Sequence, residues 1–133
     1  MKPLILRLAI AVCLVVIGLV HEELYVDNGY RAIHVVGPSF LVAAAGSFAV
    51  AALLLVGDAL IIRLLAAALA AGELVGFLAS RTVGIAGFIE TGLQPAPQAL
   101  LSILAEAAVL LLVGIPFAMR FIRWMLLAAP AES

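Results

Sequence analysis

An all-α, integral membrane four-helix bundle with both termini in the cytoplasm is the fold class predicted by three features of the sequence. Of 133 residues, 67% are hydrophobic and only 11% are charged. Mean hydropathy is +1.33, more apolar surface than a water-soluble core of this size can hide. The apolar residues also fall into four runs, each long enough for a helical crossing at about 20 residues per span. The connections leave no room for a soluble domain, so residues 1–133 read as one domain with spans at roughly 4–20, 30–56, 60–79 and 99–117. A net charge of −1 with no basic stripe argues against nucleic acid as a partner. The single cysteine, Cys13, excludes an internal disulfide or a thiolate metal cluster.

The first span follows Lys2 and Arg7, an outline shared with secretory signals. Its apolar core ends in "GLVHEE" with no small-x-small cleavage site, and Val12 before Cys13 spoils a lipoprotein box. It therefore reads as a retained span, with Cys13 as a small buried hydrophobe. The second span covers at least Ser39 to Val56. "YRAIHVV" holds no turn-forming residue before Gly37, which favours a helix starting near Gly29, capped by Asp27 or Asn28 and bent at Pro38. That start puts His34 about one turn inside the membrane; the alternative leaves "DNGYRAIHVVG" as a loop. Only "VGDAL" separates the second span from the third, a helical-hairpin turn at Gly57 and Asp58. Pro95 and Pro97 set the start of the fourth span.

Basic residues give the orientation. Lys2, Arg7, Arg63, Arg120 and Arg123 fall on the side of the termini and the short turn, against Arg31 and Arg81 on the side of the longer loops. This asymmetry predicts a multi-pass protein of the bacterial inner membrane with both termini inside. Glu22, Glu23, Asp27 and Glu90 gather outside. Trp124, beside Arg120 and Arg123, reads as an interfacial anchor.

Two carboxylates interrupt the apolar runs: Glu73 in "ALAAGELVGF" and Glu106 in "LLSILAEAAVLLL". Each lies seven residues from the outer end of its predicted span, roughly 10 Å deep at 1.5 Å per residue. An ionised group at that depth costs about 2.5–3.5 kcal/mol on insertion scales, so both are expected to face the bundle interior and each other. Gly72, Gly76 and Ser80 form a small-residue edge that would allow close helix approach, and Ser102 lies one turn before Glu106. Two carboxylates sharing a low-dielectric site repel and need a proton, a cation or a positive side chain between them. The expected site is a cation site for a proton or a metal, made of Glu73, Glu106, His34, His21 and Glu22, with Arg81, Arg31 and Glu90 as counter-charges. His21, His34, Glu73 and Glu106 are residue types that hold a divalent transition metal in a bundle core. No HExxH or Glu-x-x-His spacing supports this, and the cofactor stays open.

"SRTVGIAGFIETGLQPAPQ" reads as a folded outer loop. It lacks the residues of a phosphate loop. "NGYR" after the first span faintly echoes "AGFIE" after the third, and Arg31 and Glu90 are candidates to pair across the outer face. The His21-Glu22 start of the first outer segment, "YRAI", and "SRTVGIAGFIE" together resemble a group of small four-span bacterial membrane proteins of the actinobacterial type. The likeness covers His21 to Leu112. It implies the four-span topology and draws attention to Arg81, Thr82, Gly84, Gly87 and Glu90, but it implies no reaction.

The expected function is cation binding in transport, or as an accessory to a membrane redox or metal-handling complex, with the lipid bilayer as the first partner. A homo-oligomer or a larger membrane complex is expected, because four short spans leave little interior for a pathway. The alternative is a structural or assembly subunit without a ligand of its own. An enzyme acting on a lipid or quinone is least favoured, since Ser80, Thr82 and Ser102 have no evident base nearby.

Overall fold

The computed structural model describes residues 3–128. The described chain contains four helices, α1 (Pro3–Val26), α2 (Val36–Val56), α3 (Leu60–Thr82) and α4 (Gln98–Ala128), with one 3-10 turn at Tyr30–Ala32 and an irregular connection over 83–97. Each is long and apolar enough to cross a membrane. Lys2, which contributes to the basic asymmetry, lies outside the described residues.

The helices run up, down, up and down. α1 packs on α2 and α4, and α3 packs on α2 and α4, so α1 and α3 lie on opposite sides of the bundle. One end carries the two longer connections (the cap end); the other carries the short α2–α3 turn (the turn end). Each helix turns one stripe inward at alternating spacings of three and four residues, the signature of left-handed helix packing. In α1 the stripe is Ile10, Leu14, Ile17, His21 and Leu24; in α2 it includes Ala43, Ser47, Val50 and Leu54; in α4 it is Ala99, Ser102, Glu106, Val109 and Val113. In α3, Ala66, Ala70 and Ser80 are buried, with Glu73 and Phe77 on the same line. The opposite faces expose large apolar side chains, among them Val12, Leu19, Leu55, Leu78 and Leu111, as expected of helices that meet lipid.

Two contacts set the α1–α2 geometry. Gly18 receives the Phe48 ring so closely that an added Cβ would lie 2.7 Å from it. At the cap end, a Cβ on Gly37 would lie 2.7 Å from the Arg31 carbonyl oxygen, so the connection can lie on α2 only where no side chain intervenes.

The second helix starts later than the sequence predicts, at Val36 rather than near Gly29. A helix begun at Gly29 would need Pro38 to donate a hydrogen bond to the His34 carbonyl, and proline has no N–H. Starting at Val36 puts Pro38 in the first turn, where no donor is needed. The His34 carbonyl accepts from the Val36 N–H instead, at 2.9 Å, around Val35 at φ 69°, a tight γ-turn conformation that is strained for a β-branched residue. Asn28 caps no second helix; its side chain donates to the Glu23 carbonyl at 3.3 Å and closes α1. α1 itself runs on from the predicted end at residue 20 to Val26, because "HEELYV" contains no breaker. α4 continues past the predicted limit at 117 to Ala128, since Pro116 removes a single intrahelical bond and the residues after it remain good helix formers.

Candidate functional site

A cavity of about 550 Å³ lies in the cap half of the bundle between α2, α3 and α4, with His21 and Leu24 of α1 in its wall. Its walls are mainly apolar, and the inward stripes bring His21, Glu73, Ser80, Ser102 and Glu106 to it. Glu73 and Glu106, from facing helices, both line it, as their matching depth predicts. Glu106 is 2% exposed. Its Oε1 accepts from Ser102 Oγ at 2.5 Å, the pairing expected from one helical turn. Glu73 Oε1 lies 3.5 Å from Ser47 Oγ, a long contact. The second oxygen of each carboxyl, Glu73 Oε2 and Glu106 Oε2, is buried without a hydrogen-bond partner among the described residues.

His21 lines the same cavity and is 8% exposed. Its Nδ1 lies 3.0 Å from the Ile17 carbonyl oxygen, so Nδ1 carries the proton and Nε2 is left as an acceptor. The His21 ring meets Phe40 edge-on at 5.1 Å. Phe40 in turn stacks on Tyr30 at 5.1 Å, and Tyr30 meets Phe88 at 6.0 Å. This aromatic group roofs the cavity.

Three expected participants, His34, Glu22 and Arg31, stand off the cavity, and a fourth, Arg81, lines it but is engaged with other partners. His34 is exposed and lies in a separate shallow depression with Arg31 and Pro38. The late start of α2 leaves it in the connection rather than on an inward face. Glu22 is exposed because it follows the inward position held by His21. Arg31 does not reach Glu90; the adjacent Tyr30 does, donating its hydroxyl proton to Glu90 Oε2 at 2.8 Å. Arg81 lines the cavity, yet it is engaged as a clamp on the α3–α4 connection. Its Nε donates to the Gly92 carbonyl at 3.2 Å, and its other nitrogens bond the Gln94 carbonyl and Ser80 Oγ. Its guanidinium lies 3.8 Å over the Phe77 ring. The one ion pair among the described residues, Arg63 with Asp58 at 2.5 Å, is at the turn end. Among the described residues the carboxyl pair therefore has no positive partner in direct contact.

The expected metal ligands do not converge, since among the described residues no three His, Cys, Asp or Glu side chains are placed to hold one ion. Gly72 and Gly76 do not bring helices together either. An added Cβ at either meets nothing within 4 Å, and both line the cavity. The glycines make space rather than contact.

Ser47, Phe40 and Phe77 were not singled out from the sequence. A lone serine in "AAAGSFAV", fully buried at a stripe position, carried the signal for the first. Phe40 and Phe77 lie within apolar runs, where the sequence carries no signal that sets them apart. Tyr30 is the charge-sensitive member of the roof: burial, and then its bond to the Glu90 carboxylate, hold its hydroxyl well above the usual tyrosine range. At the turn end the Arg63 guanidinium holds the Asp58 carboxyl below the usual range.

Comparison with protein-family models, curated proteins and solved structures found no match to this chain. The class defined by fold and site is a small all-α protein of four helices, each able to span a membrane, with Glu73 and Glu106 of two facing helices on a cavity in its interior.

Proposed function

We propose that this is a multi-pass protein of a bacterial plasma membrane, both termini cytoplasmic, in which Glu73 and Glu106 take up and release protons. The observation that carries the reading is the pair of buried, unpartnered carboxyl oxygens on one apolar cavity. Two negative charges in such a place repel, and no arginine or histidine contacts them, so at least one carboxyl is neutral until something positive approaches. Proton occupancy then responds to whatever enters the cavity, the property required of a transport component or of an accessory to a larger membrane complex. His21 Nε2, on the same wall, is the relay toward the cap end. Orientation rests on the arginines: Arg7, Arg63, Arg120 and Arg123 belong to the turn end and Arg31 and Arg81 to the cap end. The cavity is lined by one chain, and the homo-oligomer or larger membrane complex expected from the sequence is part of this proposal.

The test is infrared difference spectroscopy of the purified protein in lipid nanodiscs during a pH titration. A protonated-carboxyl band is expected to rise as pH falls, to shrink in both Glu73→Gln and Glu106→Gln, and to keep its size in Glu22→Gln. A band unaffected by either core substitution would remove the proposal.

One observation favours the second reading, a structural or assembly subunit. Beyond Pro116 the described part of α4 is exposed on all sides, with Phe121 and Trp124 stacked at 6.1 Å. On that reading, substitutions along this segment weaken recovery of a complex and leave the carboxyl titration unchanged.

A further inference from the structure

The unpartnered oxygens constrain what the cavity can accept. Glu106 is almost fully buried, and its Oε2 is one of two acceptors without a donor; Glu73 Oε2, on the facing helix, is the other. Beyond them the cavity is apolar, lined by Leu65, Ala68, Leu69, Ala43 and Ile103, and it rises to the aromatic roof. A volume of about 550 Å³ is within the range of sites that enclose a drug-sized organic molecule. Two wall residues are also on the outer surface of the bundle, Val42 at 67% exposure and Leu65 at 44%. The cavity thus reaches the flank between α2 and α3, where an amphipathic molecule dissolved in lipid would approach. Among the described residues a metal ion finds too few ligands here, and an anion would meet two carboxyls.

We propose that the cavity binds a hydrophobic primary ammonium ion, whose N–H groups donate to Glu106 Oε2 and Glu73 Oε2 while its apolar body lies along the wall toward Phe40 and Phe77. The inference rests on the proton reading above and adds the ligand class. A charge-assisted bond to a desolvated carboxylate is stronger than one to a neutral acid, so binding ionises a carboxyl and one proton leaves for each ammonium bound. The groups facing the pair are His21 from α1, Ser47 from α2, Ser102 from α4, and Tyr30, Arg81 and Glu90 at the roof. None of them is a cation in contact with the carboxyls, so the incoming ammonium is the charge that balances them. Gly72 and Gly76 serve this site by leaving room for the ligand body.

The experiment is isothermal titration calorimetry of the full chain in nanodiscs, with 2-phenylethylammonium as probe and 2-phenylethanol as its neutral match. Two buffers of different ionisation enthalpy count the released protons. Saturable ammonium binding is expected, with one proton released and affinity rising about tenfold per pH unit while the pair is protonated. Glu106→Gln and Glu73→Gln should each weaken it by about 30-fold or more. Gly76→Leu, whose added side chain points into the cavity, should keep wild-type helicity and thermal unfolding yet lose binding. Equal binding of the alcohol without proton release, or ammonium binding unaffected by Glu106→Gln and Gly76→Leu, would overturn the inference. The infrared titration without probe separates the two levels. If the carboxyl band titrates but no ammonium binds, only the ligand class is wrong; if the band is missing and no proton is released, both fall.

Discussion

Glu73 and Glu106 show how far single residues could be read. A carboxylate inside an apolar run costs too much to face lipid, and that cost alone pointed both inward; their equal depth then followed from helix rise. Tyr30 and Arg81 were not legible in the same way, because their partners come from a loop whose path no periodicity describes. Tyr30→Phe removes the bond to Glu90 and should lower thermal stability by about 1 kcal/mol. Its pH dependence has a definite sign. The Tyr30 hydroxyl is raised in the folded protein, so its contribution is full below the ordinary tyrosine value and is lost as pH rises through the folded one. Alkaline thermal melts should therefore fall more steeply for wild type than for Tyr30→Phe. Asp58 has the opposite sign. Its carboxyl is lowered by Arg63, so its contribution is present above the ordinary aspartate value and fades as pH falls. Asp58→Asn should be nearly indistinguishable from wild type in acid and less stable at neutral pH, by a small amount for so exposed a pair.

The helices themselves were legible from hydropathy; their ends were not. The predicted third helix and the observed α3 differ by three residues at one end, because Gly57, Asp58 and Gly84 mark its limits in the sequence. The second helix starts later than expected because "YRAIHVV", although it holds no turn-forming residue before Gly37, would as a helix require a Pro38 N–H that does not exist. Its observed start depends on Gly37, where the Arg31 carbonyl approaches too closely for any side chain. Gly37→Ala should therefore destabilise the cap end by about 1–3 kcal/mol, measured by thermal unfolding in detergent, with faster amide exchange at 29–36. A wild-type exchange pattern in that variant would show that the connection does not lie on α2. The small-residue edge of α3 was a misreading of the same kind, since glycines at i and i+4 look alike whether they admit a helix or a ligand.

At the scale of the molecule, four apolar helices with lipid-compatible outer faces make a membrane bundle the natural setting, and the proposed orientation rests on the distribution of arginines. Single cysteines at Ala59 and Asp27, in a Cys13→Ser background, test it in intact cells with a membrane-impermeant thiol reagent. Asp27→Cys should label and Ala59→Cys should not until the membrane is opened; the reverse would invert the topology. The sequence by itself determined the number of spans, the order of the helices and the inward placement of two carboxyls, since each follows from transfer energies and helix period within one segment. Only the tertiary structure decided that His21 and not His34 stands on the cavity, that Tyr30 and not Arg31 meets Glu90, and that Gly72 and Gly76 border open space. Those outcomes depend on where a helix starts and on how four stripes face one another. Both are set by packing between segments far apart in the chain.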